Sequence, residues 1–155
     1  MDTNAQKDKI MEKKKEKIEN PKHDAGVKKV PFHFVPCGVL MEIGLGMMEG
    51  GRKYGAHNYR AIGIKFSDYY DAAWRHLAAW FEGEDIDLKS GQHHITKLIT
   101  DLIVLRDSML MGNCEDDRPL KYPNGLDMDA YNKQAEAIIK KIPKCVEPFT
   151  EKRNF

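Results

Sequence analysis

Long apolar runs, a cysteine framework and an excess of charge of one sign are all missing from this sequence, and each absence excludes a class of protein. No stretch of 18 apolar residues occurs, so no segment is suited to crossing a membrane. The charged N-terminus is not followed by the apolar core of a signal peptide. The three cysteines, Cys37, Cys114 and Cys145, are an odd number without metal-ligand spacing. They argue against a disulfide scaffold or a cysteine zinc site and for a reducing, cytoplasmic setting. Lys and Arg number 25 against 24 Asp and Glu, which leaves no net basic surface for nucleic acid. Phosphate-loop, dinucleotide-binding and His-Glu-x-x-His motifs are absent, and the His-Asp dipeptide at His23-Asp24 falls in the charged, solvated N-terminal arm.

What is present is helical period. Residues 1–29 read as a charged, flexible arm, because Lys7 to Glu19 holds only Ile10, Met11 and Ile18 as apolar residues. Residues 30–142 read as one helical domain, and 143–155 as a tail. Pro36 suits the first turn of a helix running over Cys37 to Lys53. Leu40, Ile43 and Met47 form one stripe of it and Met41, Leu45 and Met48 a second. Glu42, Gly46, Glu49 and Lys53 share a third face. Tyr54 to Lys65 reads as a loop. A second helix, capped by Ser67 or Asp68, runs to about Glu82 and looks largely buried, since Trp74, Leu77 and Phe81 add to the stripe of Tyr69, Ala72, Ala73, His76 and Trp80. Ser90 is placed to cap a third helix over Gly91 to Met111, with the stripe Ile95, Leu98, Ile99, Leu102, Leu105 and Met109. A weaker fourth spans Asp129 to Lys141. No repeat and no strand-like alternation appears, so the fold class is all-α, a helical bundle.

Four groups of residues could carry chemistry. Glu42 and Glu49 lie two turns apart, with Gly46 between them leaving room for a metal or phosphate; the alternative is a pair of solvated glutamates. Glu84 and Asp87 precede a helix on which His94 and Asp101 fall nearly in line. Asp101 sits inside Leu-Ile-Thr-Asp-Leu-Ile-Val-Leu, where a carboxylate needs a metal or an ion-pair partner such as Lys97 or Arg106. His76 falls within an apolar stripe, as a core histidine or as a group serving a metal or a catalytic water. Arg75 pairs with Asp71 one turn away or binds phosphate. The segment Lys53 to Arg60 mixes cations, tyrosines, His57 and Asn58 with a glycine, a composition suited to a nucleotide or to a plain connection.

In order along the chain, Lys53-Tyr54-Gly55-x-x-Asn58-Tyr59-Arg60, Ala73-x-Arg75-His76-Leu77 and Gly83-Glu84-x-x-Asp87-x-x-Ser90-Gly91-x-x-His94 resemble the phage dATP/dGTP diphosphohydrolase family, related to the all-α MazG-like nucleotide pyrophosphohydrolases. The resemblance covers roughly Pro31 to Met111. It implies a MazG-like, oligomeric helical bundle, a dimer or tetramer, and metal-dependent release of pyrophosphate from dGTP or dATP with Mg, Mn or Co. It also implies a phage setting in the host cytoplasm, where members called MazZ supply dGMP for 2-aminoadenine synthesis. The carboxylate cage of ordinary MazG proteins is not intact: Arg75 and His76 stand near the first motif, and in the second Asp101 matches but Leu98 replaces the glutamate.

The expected roles follow. Glu49, Glu42 and His76 are candidate catalytic residues, with Glu49 or Glu42 as general base. Lys53, Tyr54, His57, Asn58 and Arg75 are candidates for the substrate, and Glu42, Glu49, Glu84, Asp87, His94 and Asp101 for the metal. Two rival expectations are a His-Asp-type triphosphohydrolase using His76, His94 and Asp101, and a helical binding module without activity.

Overall fold

In the computed structural model of the protein, residues 28–146 are described, together with Lys22 and Gly26. Most of the arm expected at 1–29, and the tail beyond residue 146, lie outside the described residues. The order is a 3-10 turn at Phe32–Phe34, then helix α1 (Cys37–Tyr54), α2 (Asn58–Ile62), strand β1 (Ile64–Lys65), α3 (Phe66–Phe81), α4 (His94–Met111), β2 (Cys114–Glu115) and α5 (Met128–Lys141). The fold is all-α. The chain divides into two compact units, one through Asp116 and one from Asp117. The second holds α5, which Asp127 caps by accepting a hydrogen bond from the Ala130 amide at 2.9 Å.

Within the first unit α4 is central, packed by α3 along its length and by α1 on another side. α1 begins after Pro36, as its fixed φ dictates, and ends at Gly55 with φ 95°, a conformation that favours glycine. The stretch expected as a loop after it contains α2 and β1. β1 pairs in parallel with β2, Ile64 opposite Cys114 and Lys65 opposite Glu115. Asn113 closes this junction: its amide donates to the carbonyls of Tyr59 at 3.0 Å and Arg60 at 2.8 Å. Arg60 in turn forms a two-pronged pair with Asp107 of α4, at 2.6 and 2.9 Å.

Both expected serine caps are corrected. α3 starts at Phe66, not after Ser67 or Asp68, because β1 already holds Lys65 extended and the helix leaves directly from the strand. α4 starts at His94, three residues later than expected. The Ser90 hydroxyl is bound to Asp87 at 2.7 Å, and the cap is His93, whose Nδ1 accepts from the Ile95 amide at 3.1 Å. The intervening residues are folded back on themselves by an Ile86–His93 bridge and by Asp87 N–H to Gln92 O at 2.9 Å.

The faces differ most from expectation. α3 is not largely buried: Trp74 is 59% exposed and Phe81 80%, and only the side with Tyr69, Ala72, Ala73, His76 and Ala79 is partly covered. On α1 Leu40, Met41, Leu45 and Met48 are exposed, while the Glu42–Gly46–Glu49 face meets α4. On α4 Leu102 and Met109 are exposed, and the buried residues are His94, Thr96, Val104 and Ser108. Small and polar residues therefore line the tightest helix contacts beside Tyr59 and Val104, while Ile43 and Met47 of α1 and Ile95, Leu98, Ile99 and Leu105 of α4 are half-buried, as their stripes suggest. Such an interior is costly unless its polar groups are paired or used.

Candidate functional site

Gly46 lets α1 and α4 approach. A Cβ at this buried position would lie 2.5 Å from Thr100 Oγ1 and 3.3 Å from Gln92 Oε1, so no larger residue fits without displacement. Beside this contact the helices diverge and leave a cavity of about 440 Å³, within the size range of ligand pockets. α1, the turn into α2, α3 and α4 all contribute to its wall.

Seven residues expected from sequence reach this cavity: Glu49, Lys53, Tyr54, His57, Asn58, His76 and Asp101. Five do not line it. Glu42 accepts from the Thr96 hydroxyl at 2.7 Å, one turn further up the α1–α4 contact. Asp87 lies behind Lys97, bound to its ammonium at 2.8 Å. Glu84 and His94 approach each other, Oε1 to Nε2, at 3.6 Å, too long for a hydrogen bond. Arg75 is exposed on α3, and no ion pair joins it to Asp71 among the described residues. Also among the described residues, no three of His, Cys, Asp and Glu form a metal-holding group.

Electrostatics separates the carboxylates. Glu49 is well supplied: it pairs with Lys53, accepts from the Gln92 amide at 2.7 Å and lies 3.8 Å from the Lys97 ammonium. Asp87 is held well below the usual carboxylate range, first by Lys97 and then by the Ser90 hydroxyl. Asp101 is the opposite case. Its Oδ2 is buried without a hydrogen-bond partner, and burial pushes its pKa up to about 6. Neither ion-pair partner expected for it, Lys97 or Arg106, is within pairing distance; Lys97 is turned to Asp87 instead. His76 is not a lone core histidine, because its Nδ1 meets Nδ1 of His94 at 2.8 Å. Burial, and then the Lys97 charge, lower its pKa below the usual imidazole value.

Sequence reasoning gave no site role to Lys97, Gln92, Thr100, Tyr59 or Tyr69: Lys97 stood only as an ion-pair partner for Asp101, and Tyr59 only as an aromatic of the 53–60 segment. Lys97, Thr100 and the two tyrosines line the cavity, while Gln92 braces Glu49. One signal was available: Lys97 lies four residues before Asp101, hence on the same side of α4. Gln92 gave none, because its role depends on the folded-back loop.

An all-α chain with a cavity of nucleotide size, lined by cations, carboxylates and tyrosines, is the kind of structure that handles a phosphorylated small molecule. The family comparison is specific. The model of the dATP/dGTP diphosphohydrolase N-terminal domain matches residues 19–118, well over half of the chain, and the chain belongs to that family. It is thus an enzyme, a dATP/dGTP diphosphohydrolase. No curated protein and no solved structure matches it.

Proposed function

We propose that the cavity beside Gly46 binds dGTP or dATP with a divalent cation and that water cleaves the bond between the α- and β-phosphates, giving the monophosphate and pyrophosphate. The observation that carries this reading is the placement of Glu49, Lys53, Asn58, His76 and Asp101 around one nucleotide-sized cavity.

The donor set fits a cation that arrives with its substrate. Magnesium is commonly held by one or two carboxylates plus phosphate oxygens rather than by a protein cage. Glu49, fixed by Gln92, supplies such a carboxylate, and the triphosphate would complete the coordination. Bound there, Mg, Mn or Co would offset phosphate charge and polarise the α-phosphorus.

The chain's own groups do the rest. Asp101, rather than the expected Glu49 or Glu42, is the general base, because those two are already paired while its partnerless oxygen and its pKa near 6 suit a group that must take a proton from water near neutral pH. As the new P–O bond forms, pyrophosphate leaves on the far side of phosphorus. Lys53 steadies phosphate charge. His76 has its Nδ1 occupied by His94, so its Nε2 is the nitrogen available to the cavity. Tyr54 stacks on the purine and Asn58 reads its edge. Glu42, Glu84, Asp87 and His94 act from behind the wall, and Arg75 adds positive field near Asp101.

The reading extends to a homo-oligomer, dimer or tetramer, supported by the exposed apolar side of α1 and by Trp74 and Phe81 on α3. It extends also to a phage-encoded, MazG-like enzyme working in the host cytoplasm and supplying dGMP for 2-aminoadenine synthesis. Among the described residues no helix is long and apolar enough to cross a membrane. The test is a screen of deoxynucleotides with Mg, Mn and Co, with products separated by ion-exchange chromatography. Monophosphate and pyrophosphate are expected. Tripolyphosphate and a deoxynucleoside would overturn the reading in favour of the His-Asp-type reaction.

A further inference from the structure

Lys97 is the cation most deeply set in the cavity wall, and its bonding is incomplete. Its side chain is 19% exposed, against 54% for Lys53. An ammonium carries three donors. One goes to Asp87 Oδ2 at 2.8 Å and one to Ser90 Oγ at 3.2 Å. Glu49 Oε2, at 3.8 Å, attracts the charge but lies beyond hydrogen-bond reach. Among the described residues no further acceptor is within bonding distance, and the residue lines the cavity. At 19% exposure that donor can be met by water, which an anionic ligand would replace with a charge-assisted bond.

Neighbouring chemistry explains why the donor stays unused. Asp87 is fixed from three sides, by Ser90 Oγ at 2.7 Å, by the Lys89 amide at 3.1 Å and by Lys97 itself, so it holds the ammonium in place without following it. Glu49 is kept on the far side by Gln92 and Lys53. The ammonium is thus stationed between two immobilised carboxylates with one N–H left for an anion entering the cavity. Lys53 also lines the cavity but is more exposed and already paired with Glu49, so its hold on phosphate charge is the weaker of the two.

We propose that Lys97 is a phosphate-binding residue of the site and the principal anchor of the nucleotide's phosphate tail. The proposal rests on the nucleotide reading of the cavity. It predicts a dependence on phosphate number that a merely structural lysine would lack.

The test is equilibrium binding of deoxyguanosine, dGMP and dGTP, and of inorganic pyrophosphate as a probe without a base, to the full chain and to Lys97→Met and Lys97→Arg. Circular dichroism and thermal unfolding check that each variant is folded. Lys97→Met should weaken dGTP and pyrophosphate roughly ten- to hundredfold, the range for losing a charge-assisted hydrogen bond, and leave deoxyguanosine unchanged. Lys97→Arg should restore most of the loss and keeps the question open to measurement if the methionine variant does not fold. Equal weakening of deoxyguanosine and dGTP, or unchanged dGTP binding in a folded variant, would overturn the role of Lys97 alone. Absence of dGTP and dATP binding by the unaltered chain would overturn the cavity reading with it.

Discussion

His76 on α3 and His94 on α4 meet ring to ring, Nδ1 to Nδ1 at 2.8 Å. Two such nitrogens bond only when one carries a proton and the other a lone pair. The contact therefore fixes the orientation of both rings and ties α3 to α4 directly behind the cavity. It also leaves His76 a single nitrogen for the cavity, so the wall is polar where an ordinary bundle would place leucine.

The base assignment predicts a pH profile. Asp101 ionises at about 6, so kcat/KM should rise with pH through that value, and a profile flat from about pH 5 to 7 would remove Asp101 as base. Asp101→Asn should lower kcat by roughly a hundredfold or more.

The same shift predicts stability with a definite sign. The folded pKa lies above the ordinary 3.8, so between about 4 and 6 the folded state holds the proton more firmly, and this group lowers stability as pH rises. Thermal unfolding of Asp101→Asn should therefore match the parent near pH 4 and exceed it by a few degrees near pH 8. The reverse order would contradict the burial of the carboxylate.

Glu49→Gln keeps the shape of the side chain and its contact with Gln92 while losing charge. Turnover should fall by roughly a hundredfold, with the metal concentration for half-activity raised, while the melting temperature changes little. Normal turnover in steady-state assays would take Glu49 out of the site.

Gly46→Ala places a methyl against Thr100 and Gln92. Forcing it in should cost about 1–3 kcal/mol in urea unfolding and, by moving Gln92 away from Glu49, lower activity as well. An alanine variant as stable and active as the parent would show that the approach of α1 to α4 is not tight.

Asn113→Ala removes two hydrogen bonds to the backbone of α2. The expected loss is about 1–3 kcal/mol, and KM should rise because α2 presents Asn58 and Tyr59 to the cavity. Calorimetry and nucleotide titration measure the two effects separately.

The order of the four longer helices was legible, α2 was not, and the bounds of α1 were legible because Pro36 and Gly55 act through local backbone chemistry. Lys53, Tyr54, His57 and Asn58 were legible as a group because they are neighbours in sequence. The inward faces were legible only in part: Ile43, Met47, Ile95, Leu98, Ile99 and Leu105 are half-buried as their period suggests, but they do not form the closest contacts. Apolar period marks the core only where the core is apolar, and here Leu40, Met41 and Trp74 face out while Thr96, Lys97 and Asp101 face other helices or the cavity. The β1–β2 pairing and the Gln92–Glu49 bond join residues about 50 and 43 apart, a separation that no local pattern records.

α1 carries glycines at 38, 44, 46, 50 and 51, and each weakens a helix by about 1 kcal/mol relative to alanine. The helix that presents Glu49 and Lys53 is accordingly softer by local propensity than α4, which has no glycine. Amide protons along it should exchange with deuterium sooner than those of α4, and nucleotide should slow that exchange most strongly around residues 46–53. That outcome would make recognition a tightening of one soft helix against a firm one.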